Sequence, residues 1–427
     1  GYKLNIAFAT AVKIAGYLLM GYAVELGGFL NGHTMAELGG AAGGDFTYPL
    51  FFTGAILLAA GTAIFKPGVQ GIIATGMDKK RASVGWALFY QMVNIGGFLG
   101  PLVAAYLRLI DWKSVFLICA GTVAFNFVAL LTFKEPAHKG EGFGKSGVLK
   151  VLIASVRGLF EPRLFFFTVI FSGFWLMYNQ LFDILPNFID DWVDSRQAVV
   201  AIQHVWPGMP VTPEGNMPQE IMINLNAGLI SLFAFLMGYI TGRFRTLKNI
   251  IAGIGISVVS IWMLGLSMSG WWTLLAIGVF SIGEMAASPK LLEYLASIAP
   301  PGKQGLYMGY VNATNGIGWS IGSWVAGNLY DEGGDKVNLA RRHLIQILGM
   351  DPGSVAALPK TKVLPLLQEK LGVGADQARR LLWETYHPYS MWTTFALIGL
   401  GSMLGLLVFD QITRARDRRR AASGNPG

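Results

Sequence analysis

The sequence predicts an all-α, polytopic membrane protein, and three observations predict it. Charged residues make up only 14% of the 427 residues and hydrophobic ones 53%, against roughly a quarter charged in a soluble domain. Mean hydropathy is +0.48. About ten apolar runs reach membrane-crossing length, given a hydrocarbon core of about 30 Å that takes about 20 apolar residues per helix. The 55 glycines fit the same solvent, since Gly is more frequent in membrane helices than in soluble ones.

The runs lie near 4–26, 48–75, 84–107, 112–133, 164–189, 221–242, 248–268, 271–297, 305–330 and 389–411. The first is too long for a signal peptide and lacks a basic start with a cleavage site. Basic residues cluster at every second connection: Asp78-Lys79-Lys80-Arg81, the link 134–163, Arg243 with Arg245 and Lys248, Lys303, and the tail Arg414–Arg420. The positive-inside rule places these loops and both termini in the cytoplasm of a bacterial-type inner or plasma membrane. The tail is expected to anchor on the membrane surface.

One outward connection departs from the short, polar pattern. Residues 331–388 carry Leu344, Ile347 and Leu348, then Leu364, Leu367 and Leu371, then Ala378, Leu381 and Leu382. Asp351-Pro352-Gly353 and Gly372-Val373-Gly374 separate them. This reads as a small insertion of amphipathic helices facing outside. The expected organisation is a first bundle of four helices over 1–133, a linker over 134–163, a second bundle of six over 164–411 containing the insertion, and a basic tail over 412–427. Many secondary transporters pair two six-helix halves; on that plan two helices are missing from the front.

Several function classes are excluded. The single cysteine, Cys119, forms no disulfide within the chain, and the five histidines show no ligand-pair spacing. Neither a metal nor any other cofactor is expected. No nucleophile–base pair or phosphate-cradling Gly-rich loop points to an enzyme. The net charge of +8 is spread in short clusters between apolar runs, which reads as topology rather than a nucleic-acid surface.

Charges in a bilayer are costly and mark function by default. Lys66 sits in Gly61-Thr62-Ala63-Ile64-Phe65-Lys66-Pro67-Gly68, about 12 residues from the nearest basic loop. That is roughly 18 Å of helix, too far for comfortable snorkelling, the bland alternative. Glu284 lies midway along 271–297; its bland reading is a protonated carboxyl bonded to a neighbouring helix. A carboxylate whose pKa follows its surroundings is what a proton-driven carrier needs. Lys290 and Glu293 read as a local ion pair. In 164–189, Gln180 and Asp183 share a helical face, either for function or for interhelical hydrogen bonding. Asn94, beside Gly96 and Gly97, stands equally between function and close packing, and Asn224 and Asn226 carry weaker signals.

Four segments together resemble the proton-dependent oligopeptide transporter family of the major facilitator superfamily. Gly61-Thr62…Lys66-Pro67 is similar to that family's helix 4, and Phe89-Tyr90…Asn94…Gly96 to its helix 5. Phe174-Trp175…Tyr178…Gln180 is similar to helix 7. Gly283-Glu284…Ser288-Pro289…Ala299-Pro300…Gly305…Met308-Gly309 is similar to helix 10 and the start of helix 11. The resemblance implies two bundles moving about a central site. It implies that Lys66 and Glu284 bridge the bundles, and that Tyr90, Asn94, Trp175 and Asn226 line a peptide pocket. No segment matches the family's first helix, and Asn179 stands where the family often has glutamate.

The expected function is proton-coupled symport of di- and tripeptides or similar small zwitterions by alternating access. Lys66, Tyr90, Asn94, Trp175, Gln180 and Asn226 are expected at the substrate, and Glu284, Lys66 and Asp183 in proton coupling and gating. The partners are then a peptide-like solute, protons and the lipid bilayer. A facilitator-type carrier or exporter of another solute class, and a non-transporting receptor or scaffold, are the alternatives.

Overall fold

The computed structural model describes residues 2–32, 45–76, 79–134, 153, 157–298 and 304–422. Among them the chain is helical, and it separates into two units, 1–142 and 143–427.

The first unit comprises α1 (Tyr2–Gly21), α2 (Ala23–Leu30), α3 (Thr47–Gly76), α4 (Lys79–Arg108) and α5 (Trp112–Leu131). Asp111 caps α5 by accepting from the Ser114 amide, which satisfies one of the helix's orphan donors. Polar ties then join the elements. Lys3 Nζ donates to the Phe133 carbonyl at 2.5 Å. Lys113 pairs with Glu25, and its ammonium lies 4.1 Å from the Tyr22 ring centroid. Within the expected first run, Lys13 places its ammonium 4.6 Å from the centroid of Phe65, across α1 and α3.

The second unit contains thirteen described helices. The first four are α6 (Pro162–Tyr178), α7 (Gln180–Asp183), α8 (Leu185–Trp192) and α9 (Arg196–Gln203). Then come α10 (Gln219–Thr241), α11 (Thr246–Leu264), α12 (Gly270–Ile298) and α13 (Gln304–Gly333). The insertion supplies α14 (Lys336–Gln346), α15 (Pro352–Ala356), α16 (Lys360–Leu371) and α17 (Ala375–Tyr386), and α18 (Ser390–Ala422) closes the unit. The run expected as one helix over 164–189 is broken at Asn179 and again at Ile184; Pro186, in the first turn of α8, suits a fresh helix start.

Eight described helices are long and apolar enough to cross a membrane. The sequence predicts about ten runs; the other two match α4 and α13, each of 30 residues, or about 45 Å at 1.5 Å per residue. Apolar side chains point away from the protein on these helices, Phe235 at 92% exposure and Leu131 at 85%, as a lipid-facing surface requires. This is an integral membrane protein.

Lipid tails are as apolar as leucine, so packing and interhelical hydrogen bonds hold membrane helices together. At the α11–α12 crossing a Cβ on Gly253 would lie 2.6 Å from the Gly283 carbonyl oxygen and 2.8 Å from the Ala287 nitrogen. Only glycine lets the backbones approach so closely. Ser260 donates to the Ala276 carbonyl at 2.7 Å, Ser402 to Ile170 at 2.5 Å and Ser172 to Thr314 at 3.2 Å. Phe167, Phe171, Phe174, Met177, Phe280 and Phe395 fill the interior.

In the insertion Leu344, Leu367, Ala378 and Leu382 are buried beside Val355 and Val363. Ile347 is the exception: it is 62% exposed, because it caps the end of α14 rather than continuing its inner face.

Candidate functional site

Glu284 sits at mid-length of α12, half-buried. Two neighbours hold its carboxylate. Tyr178, the last residue of α6, donates its hydroxyl to Oε1. Asn226 on α10 donates Nδ2 to Oε2 at 2.9 Å, and the same amide reaches Ser281 Oγ at 3.1 Å. Three helices therefore meet at one carboxylate. Its wall is aromatic: Tyr178 lies 4.9 Å from Trp175, edge-on, and 5.2 Å from Phe280. Trp175 is buried, and its indole N–H has no acceptor among the described residues. An acidic group with two donors, an aromatic surround and an unfilled N–H is chemically equipped to take a proton or a cation on one side and an acceptor oxygen on the other.

A second polar set lies where α6 breaks. Asn179 is buried, with Nδ2 on the Trp175 carbonyl at 2.9 Å and on Asn315 Oδ1 at 3.3 Å. Gln180 is fully buried; Nε2 donates to the Leu176 carbonyl at 2.7 Å, while Oε1 has no donor among the described residues. Asp183 accepts from the Trp319 indole at 2.9 Å and from Ser323 at 2.6 Å. Asn315, Trp319 and Ser323 recur every four residues along α13, one face of that helix. The shared face expected for Gln180 and Asp183 is therefore the one toward α13.

Of the residues singled out in the sequence, the structure brings Glu284, Asn226 and Trp175 together. Gln180 and Asp183 face α13 instead. Lys66 lies in the first unit, on α3, with an exposed side chain. Tyr90 and Asn94 lie on α4, and their side chains fall outside the described residues, as does that of Glu293, the expected partner of Lys290. Sequence reasoning missed Tyr178 as a partner of Glu284, because a tyrosine in an aromatic run reads as core. It also passed over Lys13, which the rule that flagged Lys66 would have flagged.

The sequence matches the family model described as Major Facilitator Superfamily over residues 8–194 and 212–340. Among curated relatives, the multidrug resistance protein MdtH of Enterobacter sp. (strain 638) is 24% identical over 350 residues, covering 74% of this chain and 78% of that protein. MdtH of Sodalis glossinidius is 25% identical over 335 residues, covering 78% of this chain and 71% of the relative. In fold, the chain is similar to a peptide transporter POT solved in complex with sulfate, at TM-score 0.61 and 16% identity, over 97% of this chain and 80% of that one. It is likewise similar to a POT family transporter in complex with 5-aminolevulinic acid, at TM-score 0.55 and 14% identity, over 95% and 85% of the two chains. The fold is thus the one the four motifs resemble, and the chain is a transporter, not an enzyme. It belongs to the Major Facilitator Superfamily.

Proposed function

We propose that this transporter couples the movement of a small zwitterionic solute, a di- or tripeptide first of all, to protons by alternating access, with Glu284 as the group that takes the proton. The observation that carries this reading is the carboxylate of Glu284 held by Tyr178 and Asn226 inside an aromatic wall. Protonation removes one acceptor position and the charge, so the bonds to Tyr178 and Asn226 rearrange. A solute ammonium competes for the same oxygens, and its carboxylate suits the unfilled Trp175 N–H. Binding then shifts the balance between alternate states. Lys66 and Asp183 are the further charged residues this reading calls on, for the solute's carboxylate and for gating, with Gln180, Tyr90 and Asn94 at the solute.

The kinship with MdtH favours a second reading, export of lipophilic cations, for which a carboxylate among aromatic rings is equally suited. The discriminating experiment is proton-driven flux in liposomes of labelled dialanine and, separately, of tetraphenylphosphonium, using the full chain, Glu284→Gln and Lys66→Ala. Dialanine uptake that needs an inward proton gradient and is lost in both variants supports the first reading. Flux of the phosphonium alone supports the second. Dialanine uptake by Glu284→Gln that still follows the gradient removes Glu284 from proton coupling.

A further inference from the structure

The six residues Asp191–Arg196, from the end of α8 to the start of α9, reach α13, α14, α17, the α11–α12 connection and the segment before α10. Trp192 Nε1 donates to the Gly334 carbonyl at 2.8 Å, and its ring lies 5.8 Å from Trp383 of α17. Asp191 accepts the Tyr330 hydroxyl at 2.5 Å, and Lys336 Nζ reaches its carbonyl at 2.9 Å and its carboxylate at 3.6 Å. The backbone of Asp194 donates to Met268 at 2.7 Å and accepts from Gly270 at 2.8 Å, in the α11–α12 connection. Ser195 donates its N–H to Asn216 Oδ1 at 2.8 Å and accepts from the Met217 amide at 2.7 Å.

A closed ring of alternating charge fastens this hub to the insertion. Arg196 bonds Asp194 through Nε at 2.9 Å and Asp376 at 2.9 Å. Arg379 reaches the same two carboxylates at 3.3 and 3.0 Å. Isolated surface ion pairs contribute little, because holding two long side chains offsets the Coulomb gain. Here each charge has two partners, Arg379 is only 14% exposed, and the Trp192–Trp383 and Phe188–Trp392 contacts back the ring with apolar burial. Hydrogen bonds from Arg196 hold the Asp194 carboxyl down to about 2, so Asp194 stays charged across the range in which a proton gradient operates.

We propose that this hub and α14–α17 form a clamp that stays closed throughout the transport cycle, keeping the insertion-bearing ends of the second unit's helices in one block and confining its bending to their opposite halves. The insertion is then a brace, not a lid. This rests on the chain cycling between states but not on which solute it carries.

Two measurements on the full chain test it. The first needs no solute: hydrogen exchange in lipid nanodiscs of the parent and Arg379→Gln. The expected result is exchange about tenfold faster across α9 and α17 in the variant; unchanged exchange overturns the role of the ring. The second joins Arg196→Cys to Asp376→Cys with a short bifunctional thiol reagent in a Cys119→Ala background, leaving the Asp194–Arg379 contact in place. Flux of whichever probe the parent carries, dialanine or tetraphenylphosphonium, is expected to stay within twofold of the uncross-linked sample. Loss of flux on cross-linking shows a lid that must open and overturns the clamp. A parent that carries neither probe, or a double variant inactive before cross-linking, leaves the decision to the exchange measurement; the former also counts against the proposed solutes and not against the clamp.

Discussion

Tyr178 and Glu284 share a hydrogen bond between the last residue of α6 and the middle of α12. It joins the two helices at the candidate site beside the Tyr178–Phe280 ring contact, and it positions the carboxylate before any solute arrives. Tyr178→Phe keeps the ring packing against Trp175 and Phe280 and removes only the donor. Hydrogen bonds to charged groups contribute about 1.5–3 kcal/mol, so the variant should unfold at lower temperature in detergent. Under the proposed function it should also lower coupled flux about tenfold, whereas Tyr178→Phe with parental melting and flux would make the bond incidental.

The α11–α12 seam makes a second test. Gly283→Val places methyl groups where the Gly253 carbonyl and Ser257 already stand. Overpacking costs about 1–3 kcal/mol, and more where backbone is the obstacle. Size-exclusion profiles before and after mild heating should show the variant losing its monodisperse peak first. A parental profile would mean that the two helices move apart freely.

His343 gives a pH prediction. Burial in the insertion lowers its pKa from the ordinary 6.5. The Tyr386 hydroxyl stands 3.4 Å from Nδ1, and Arg342 lies beside the Tyr386 ring. Because the folded value is below the unfolded one, the unfolded chain takes up the proton first. The stability this group permits is whole above about 6.5 and declines as pH falls below it. Hydrogen exchange of α14 should therefore quicken between pH 7.5 and 5.5 after correction for intrinsic rates, and His343→Gln should flatten that dependence.

Asp194 behaves in the opposite sense and at a different pH. Its carboxyl is held at about 2, below the ordinary 3.8, so its contribution is present above 3.8 and is lost only as pH falls through about 2. Asp194→Asn should melt below the parent at pH 7, and the two melting curves should draw together as pH approaches 2. A gap that stays constant to that pH would place the effect in packing and not in charge.

The sequence made the helices legible because apolar length is all a bilayer demands, and Glu284 stood out because a carboxylate in such a run has no cheap explanation. Residue type alone did not separate Asn226 from Asn224, since which asparagine meets a carboxylate depends on helix phase and crossing angle; only the family resemblance singled out Asn226. Tyr178 was hidden by its own aromatic context. The hub at Asp191–Arg196 was illegible for another reason: charged residues beyond an apolar run read as solvated loop, and only the fold brings Asp376 and Arg379, some 180 positions later, onto Asp194 and Arg196. The amphipathic pattern of the insertion was readable without knowing what it packs on, and Ile347 failed because periodicity does not mark where a helix stops.

The second unit's core is continuous, but its two ends answer differently to cold. The Gly253–Gly283 seam lies among lipid-facing helices, where dispersion and close contact supply the attraction. The Leu344, Leu367 and Leu382 cluster of the insertion has the make-up of a water-soluble core, whose hydrophobic driving force fades on cooling. Chilling therefore leaves the spanning helices as tightly joined as before while loosening the brace, and a sample handled near freezing gains mobility first at the end that the Asp194 ring secures.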